Sequence, residues 1–374
     1  MKNLFKWCLL FISFQLTFAG LVKAQLTVVP RAGNKKASVT EQIGITEVTI
    51  RYNRPGVKKR EDHIWGQLIP VGYTELGYGA KKPAPWRAGA NENTTIEFST
   101  DVKIEGQGLP AGKYGFFVAY GPDECTLIFS RNATSWGNFF YDPAEDALRV
   151  KVKPVKMDKS VEWLKYEFAD QTPSNATVQL QWEKLMIPFK IDVDLIKTQI
   201  ASFRKELRGD KALPESWEAW NQAAAWCAAN NTNLQEGLMW ADSATSVVFG
   251  GTESFYAWQT KAAILDSLGR HNEAADVMKN AMPFASQIQA YTYAIGLIGA
   301  KKAKEAFEIL KMNYDKHPNS LFTNIGMASA WSALGDYKKA LIYAQKALPQ
   351  AKGGNKLEVE RNIKDLENGK DMNN

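Results

Sequence analysis

The sequence predicts two domains of different class, an antiparallel β-sandwich followed by an all-α stack of helix pairs. Three observations carry this. Short stretches with period-2 apolar alternation, separated by turn residues, run up to Val193. At about residue 195 the apolar period lengthens to that of a helix. Beyond it a short pattern recurs, with equivalent positions 37, 32 and 34 residues apart at Gly237, Ala274, Ala306 and Ala340. The boundaries read from these signals are 1–24 for a signal segment, 25–195 for the β domain and 196–374 for the helical domain.

In residues 1–24, Lys2 and Lys6 precede an apolar run from Cys8 to Phe18, and Val22-Lys23-Ala24 offers small residues at the cleavage positions. The run is short for a bilayer span, so cleavage, and a periplasmic or secreted protein with no stable membrane span, is the expectation. The formal net charge of the whole chain is +6, carried by 374 residues. Loss of Lys2, Lys6 and Lys23 halves it. So weak an excess gives no electrostatic footprint for nucleic acid.

In the β domain, Val48, Ile50 and Tyr52 alternate with Thr49, Arg51 and Asn53, and the strand stops at Arg54-Pro55-Gly56. Residues 66–85, rich in Gly, Pro and Tyr, read as a long loop. Further strands are expected at Thr94–Ser99, Val102–Ile104, Lys113–Tyr120, Cys125–Ser130, Leu148–Val152, Val161–Phe168, Ala176–Trp182 and Met186–Val193. The glycines at 106, 108 and 112 do not fit G-x-G-x-x-G, and Pro110 makes that segment a hairpin loop rather than a phosphate cradle. Residues 131–146 form a second loop. Trp163 and Trp182 fall on strand positions and are expected in the core.

In the helical domain the motif around Leu334-Gly335-Asp336 and Ala340 is matched by Leu268-Gly269-Arg270 and Ala274. This resembles the tetratricopeptide repeat, in which small residues let paired helices approach and each pair buries its apolar face on the next. A glycine is missing at Lys301, His271 stands at an aromatic position and is expected to pack, and Lys356–Leu366 suits a polar capping helix.

Several segments of the β domain recur in order in one family. They are Tyr52–Arg60, Trp65-Gly66 with Pro70, Trp86–Ser99, Leu109–Tyr114, Trp136-Gly137, Tyr141-Asp142 and Leu148–Pro154. On these the region 36–194 resembles the bacterial domain-of-unknown-function family numbered 2911, common in Bacteroidota, with residues 72–84 as an insertion. The resemblance implies no activity.

The most distinctive window is Pro85–Ser99, a turn holding Trp86, Arg87, Gly89, Asn91 and Asn93 that runs into a strand. Arg54, Trp86, Arg87 and Asn91, with Trp136, Tyr141, Lys58 and Arg60, suit a ligand-binding pocket at one end of the sandwich. There arginine pairs with an anion and tryptophan stacks on a ring. The same residues suit a structural turn, with Arg87 and Asn91 satisfying backbone carbonyls and Trp86 plugging the sandwich end. Asp142, Glu145 and Asp146 fit either acid–base work, as in glycosidases, or a solvated loop.

H-E-x-x-H, G-x-S-x-G and C-x-x-C are absent and His63, His271 and His317 are scattered, so no metal and no cofactor is expected. Cys125 and Cys227 fall in different domains and read as small buried hydrophobes. The function expected is that of an exported binding or scaffolding protein of the cell envelope. The sandwich would take a small polar ligand or glycan, and the repeats a protein or peptide. Two alternatives stay open: an envelope enzyme acting on carbohydrate through Asp142 or Glu92, and a purely structural protein.

Overall fold

The computed structural model describes residues 33–373, so the expected signal segment and Cys8 lie outside the described residues. Two compact units divide between Thr198 and Gln199.

Among the described residues the first unit holds twelve strands: β1 (Lys35–Ile43), β2 (Thr46–Arg54), β3 (Thr74–Glu75), β4 (Pro83–Ala84), β5 (Thr94–Phe98), β6 (Val102–Ile104), β7 (Gln107–Leu109), β8 (Gly112–Ala119), β9 (Cys125–Ser130), β10 (Asp146–Val152), β11 (Val155–Thr172) and β12 (Asn175–Asp192). Six form one antiparallel sheet in the order β1-β2-β5-β8-β9-β10, four form a second in the order β11-β12-β6-β7, and β3 pairs only with β4. The two large sheets share one core. Phe116 and Phe129 of the first meet Phe189 of the second, with ring centroids 5.6 and 6.2 Å apart.

The sandwich has two features that the alternation pattern does not show. Among the described residues, strand β1 is an edge strand, paired only with β2. It turns just Ala37, Val39 and Ile43 toward the core, so its apolar signal is thin. Strands expected separately at Ala176–Trp182 and Met186–Val193 are one strand. Along β12 the buried side chains are Ala176, Val178, Leu180 and Trp182, then Leu185, Ile187, Phe189 and Ile191. The parity switches at Glu183, whose φ is +54°. A bulge there keeps both halves facing the core, and in sequence it reads as a break. Trp182 is fully buried as expected, whereas Trp163 is half-buried.

The outer face of the six-stranded sheet is only partly open. Phe117 and Ile128 point away from the main core and form a small second one with Ala84 and Tyr141, under the loop that follows β9. That loop also lies across β8 at Gly115. A Cβ there would overlap the Asn132 carbonyl oxygen and stand 2.6 Å from Asn93 Nδ2. Glycine is what lets the loop touch the sheet.

Ten α-helices follow: α1 (Leu195–Glu206), α2 (Trp217–Ala229), α3 (Leu234–Ala244), α4 (Phe255–Ser267), α5 (His271–Ala281), α6 (Gln287–Gly299), α7 (Ala303–Lys316), α8 (Leu321–Ala333), α9 (Tyr337–Ala347) and α10 (Gly354–Glu367). From α2 to α9 they are antiparallel pairs, each second helix against its first. The recurring small positions sit where the pairs close. Gly237, Ala274, Ala306 and Ala340 are buried, and a Cβ on Gly237 would stand 2.8 Å from that of Cys227. Seven residues on, Ala244, Ala281, Asn313 and Ala347 are buried too. This is the tetratricopeptide-like arrangement. Helix α10 buries Val359 and Leu366 and exposes most of its charged side chains, as a cap does. His271 differs from expectation. Its side chain is 73% exposed and bonds Asp266 at 3.1 Å, because the first turn of α5 projects into solvent.

Between paired helices the chain turns through a left-handed residue, Gly269 at φ +76° and Gly335 at φ +82°. Lys301 holds the equivalent place at φ +62°. A side chain in that conformation costs energy that glycine does not. Lys301→Gly is therefore expected to raise stability by about 0.5–1 kcal/mol, read as an increase in Tm. Gly115→Ala should lower it by about 1–3 kcal/mol in denaturant melts, since the displaced neighbour is backbone.

Candidate functional site

The turn after Pro85 is held from several sides. Trp86 pairs its backbone with Val118 through two hydrogen bonds of 3.0 and 2.8 Å. Its indole packs on Trp65 at 5.5 Å and Trp182 at 6.1 Å, and its Nε1 donates to the Gly89 carbonyl at 3.1 Å. Ala88 is buried with φ +52°. Its carbonyl accepts from the hydroxyls of Tyr166 at 2.7 Å and Thr94 at 3.0 Å. Burial pushes the Tyr166 phenol well above its ordinary pKa, so it stays a donor. Arg87 donates to the Asn91 carbonyl at 2.9 Å and lies 5.2 Å from the Phe139 ring. Burial lowers its guanidinium pKa somewhat. Asn91, at φ +56°, donates to Asn53 Oδ1 at 3.4 Å.

The residues read from sequence as one pocket are thus distributed. Trp86 is core. Arg87 and Asn91 are tied into the turn. Arg54 Nε donates across to the Leu164 carbonyl at 2.8 Å. Lys58 N donates to Glu162 at 3.0 Å, and Arg60 clamps the carbonyls of Gly56 and Val57. Tyr141 lies in the small second core. Its hydroxyl donates to Asp146 at 2.7 Å and accepts from Arg149 at 3.0 Å, and burial with the Asp146 carboxylate raises its pKa strongly. Two of the loop carboxylates are engaged as well: Asp142 caps its own 3-10 turn through Ala144 N at 3.1 Å, and Asp146 accepts from Tyr141 and Arg149. Of the six candidates only Trp136 lines the polar groove found on this unit.

That groove, of about 640 Å³, opens on the outer face of the six-stranded sheet. Alternation puts Lys36 and Ser38 of β1, Arg51 and Asn53 of β2, Thr95 of β5 and Lys113 of β8 on its floor. Glu92 and Asn93 come from the end of the turn, and Ala133–Trp136 form a wall. Lys36 and Glu92 pair at 2.6 Å, and Asn53 donates to Glu92 at 2.7 Å. Lys36 beside it holds the Glu92 carboxyl below its usual range. The sequence signal for this site was the polar half of the alternating strands.

The helical unit carries a second groove, of about 380 Å³, between the first helices α4 and α6. Phe255, Gln259, Ile288, Gln289, Thr292 and Leu297 line it. Neither its lining nor the whole of α6 includes a charged residue. Cys125 and Cys227 are buried free thiols. Burial pushes Cys227 up to about 11, which makes it inert at neutral pH. Among the described residues no cluster of three or more His, Cys, Asp or Glu could hold a metal, and no helix is long and apolar enough to cross a membrane.

Comparison with solved structures returns tetratricopeptide-repeat proteins over the helical part. YrrB, described as a TPR protein with an unusual peptide-binding site, is 15% identical, with 46% of this chain and 88% of that one covered and a TM-score of 0.32. A tetratricopeptide repeat protein from Parabacteroides merdae is 16% identical, with 47% and 67% covered and a TM-score of 0.34. MamA is 15% identical, with 40% and 80% covered and a TM-score of 0.30. No curated protein matches the chain. The β unit is where a family is found: residues 34–191 match the family DUF2911, described as a protein of unknown function.

Proposed function

We propose that this chain is an exported binding and scaffolding protein, whose helical unit holds an extended segment of a partner protein and whose β unit holds a small polar ligand or glycan. The observation that carries the first part is the uncharged groove between α4 and α6. Ile288 is 54% exposed at its edge and offers an apolar contact beside the uncharged lining. Gln259 and Gln289 bring amides able to both donate to and accept from a peptide backbone. Gly296 has open space where a Cβ would stand. Charged residues are concentrated instead on the second helices, such as α7 with Lys304, Glu305, Glu308 and Lys311. A repeat stack that offers an uncharged first-helix surface suits an extended, largely neutral segment.

Selection of linear peptides from a displayed library against the full chain tests this. Selected peptides should bind the wild type and lose at least tenfold in affinity to Ile288→Arg, a substitution at an exposed helix position that the fold tolerates. Equal binding to Ile288→Arg and Thr292→Arg would place the peptide elsewhere and remove the groove from the proposal.

The Pro85–Asn93 turn frames the β unit in this reading. Arg87→Ala removes a hydrogen bond and a ring contact, and is expected to cost about 1–2 kcal/mol in chemical melts. Export rests on the pattern of residues 1–24. Expressed with a secretion pathway, the mature chain should begin at Gln25, as intact-mass measurement will show; a chain retaining Met1 in the cytoplasm would contradict it.

A further inference from the structure

We propose that the outer-face groove of the six-stranded sheet is a binding site for a neutral oligosaccharide, with Trp136 as its stacking surface and Asn93 as its deepest polar contact. This gives the β unit's part of the reading above a place and a chemistry, and it does not depend on the peptide groove.

Asn93 is the first reason. It is 6% exposed, lines the groove, and neither its Nδ2 nor its Oδ1 has a hydrogen-bond partner in the protein. An amide left so in a folded protein is destabilising, and such groups call for an explanation. Its backbone is held under the wall, with Asn93 N bonding the Ser135 carbonyl at 3.5 Å. Gly115 closes the floor beneath its side chain. Both atoms are closed off from solvent beneath the Ala133–Ser135 lip, so a hydroxyl that displaces this lip meets a donor and an acceptor on one planar group. A sugar hydroxyl, itself both donor and acceptor, satisfies both.

Trp136 is the second. Its side chain stands at the mouth of the groove and the residue is 55% exposed. A large aromatic left in solvent beside a polar groove offers a flat apolar surface to the C–H face of a pyranose ring.

Charge is the third, and it decides between a neutral and an anionic ligand. The groove is lined by three cations, but Lys36 is paired with Glu92 at 2.6 Å and Arg51 with Glu97 at 2.9 Å. Only Lys113 has no carboxylate within ion-pair distance among the described residues. An anion site would show convergent unpaired cations. Here the fixed pairs present donors and acceptors side by side, with Asn53 and Thr95 between them. All of these except the wall and the turn residues Glu92 and Asn93 stand on paired strands, so little ordering remains to be done on binding.

The test uses the mature chain and calorimetric titration with cellotetraose, xylotetraose, mannotetraose and chitotetraose, beside tri-galacturonate and inorganic phosphate. The expected result is saturable binding of at least one neutral tetrasaccharide, with quenching of tryptophan fluorescence. Trp136→Ala should weaken it at least tenfold and abolish the quench. Asn93→Leu should also weaken it at least tenfold while leaving Tm unchanged or raised, which a merely structural asparagine would not do. Binding of none of the four, a preference for tri-galacturonate or phosphate, or binding that survives both substitutions would overturn the proposal. The last outcome would leave a glycan site elsewhere on the chain, and the failure would be that of the groove alone.

Discussion

The packing of three tryptophans is what the β unit depends on. Trp65, Trp86 and Trp182 meet with ring centroids 5.5 to 6.1 Å apart. They come from the long loop, the distinctive turn and the second sheet. Trp65 Nε1 donates to the Trp182 carbonyl at 3.3 Å, and Trp86 pairs by its backbone with Val118 of the first sheet. One cluster therefore ties the chain between β2 and β5 to both layers. Burial of these large rings offsets part of the entropy of fixing an irregular loop.

That anchoring explains why the conspicuous turn and the candidate site are neighbours with different work. Trp86, Ala88 and Arg87 fix where the turn leaves the sandwich. Glu92 and Asn93, the next residues, are delivered to the outer face of the sheet with little freedom. A site assembled this way borrows its rigidity from the core. The loop after β9 supplies the opposite wall, and its contact with Gly115 sets the depth of the groove. The same loop closes the small second core with Tyr141, whose bonds to Asp146 and Arg149 hold its far end.

The helical unit achieves order by a different route. Its helix pairs close on small side chains at fixed places rather than on a central core. Substitution at one place is absorbed locally, as at Asn313. There a buried polar residue replaces the alanine of other pairs and donates to the Gln287 carbonyl at 2.9 Å. Likewise Lys301 keeps the left-handed turn without glycine. Each pair contacts its neighbours, so such departures cost little elsewhere.

Periodicity alone determined the two classes of architecture, the order of most strands, and the helix repeat, because each rests on short-range patterns of apolar and small residues. The small positions at Ala274, Ala306 and Ala340 were legible for the same reason. Tertiary structure decided the rest. It joined the two halves of β12 across Glu183, added the edge strand β1, and sent Trp86, Arg54 and Tyr141 to three different places. The groove was hidden in sequence because its floor is spread over β1, β2, β5 and β8, each contributing one or two polar residues from the face turned away from the core. Only sheet pairing brings Lys36, Asn53, Thr95 and Lys113 side by side, and only a loop resting on Gly115 turns that flat polar face into a recess.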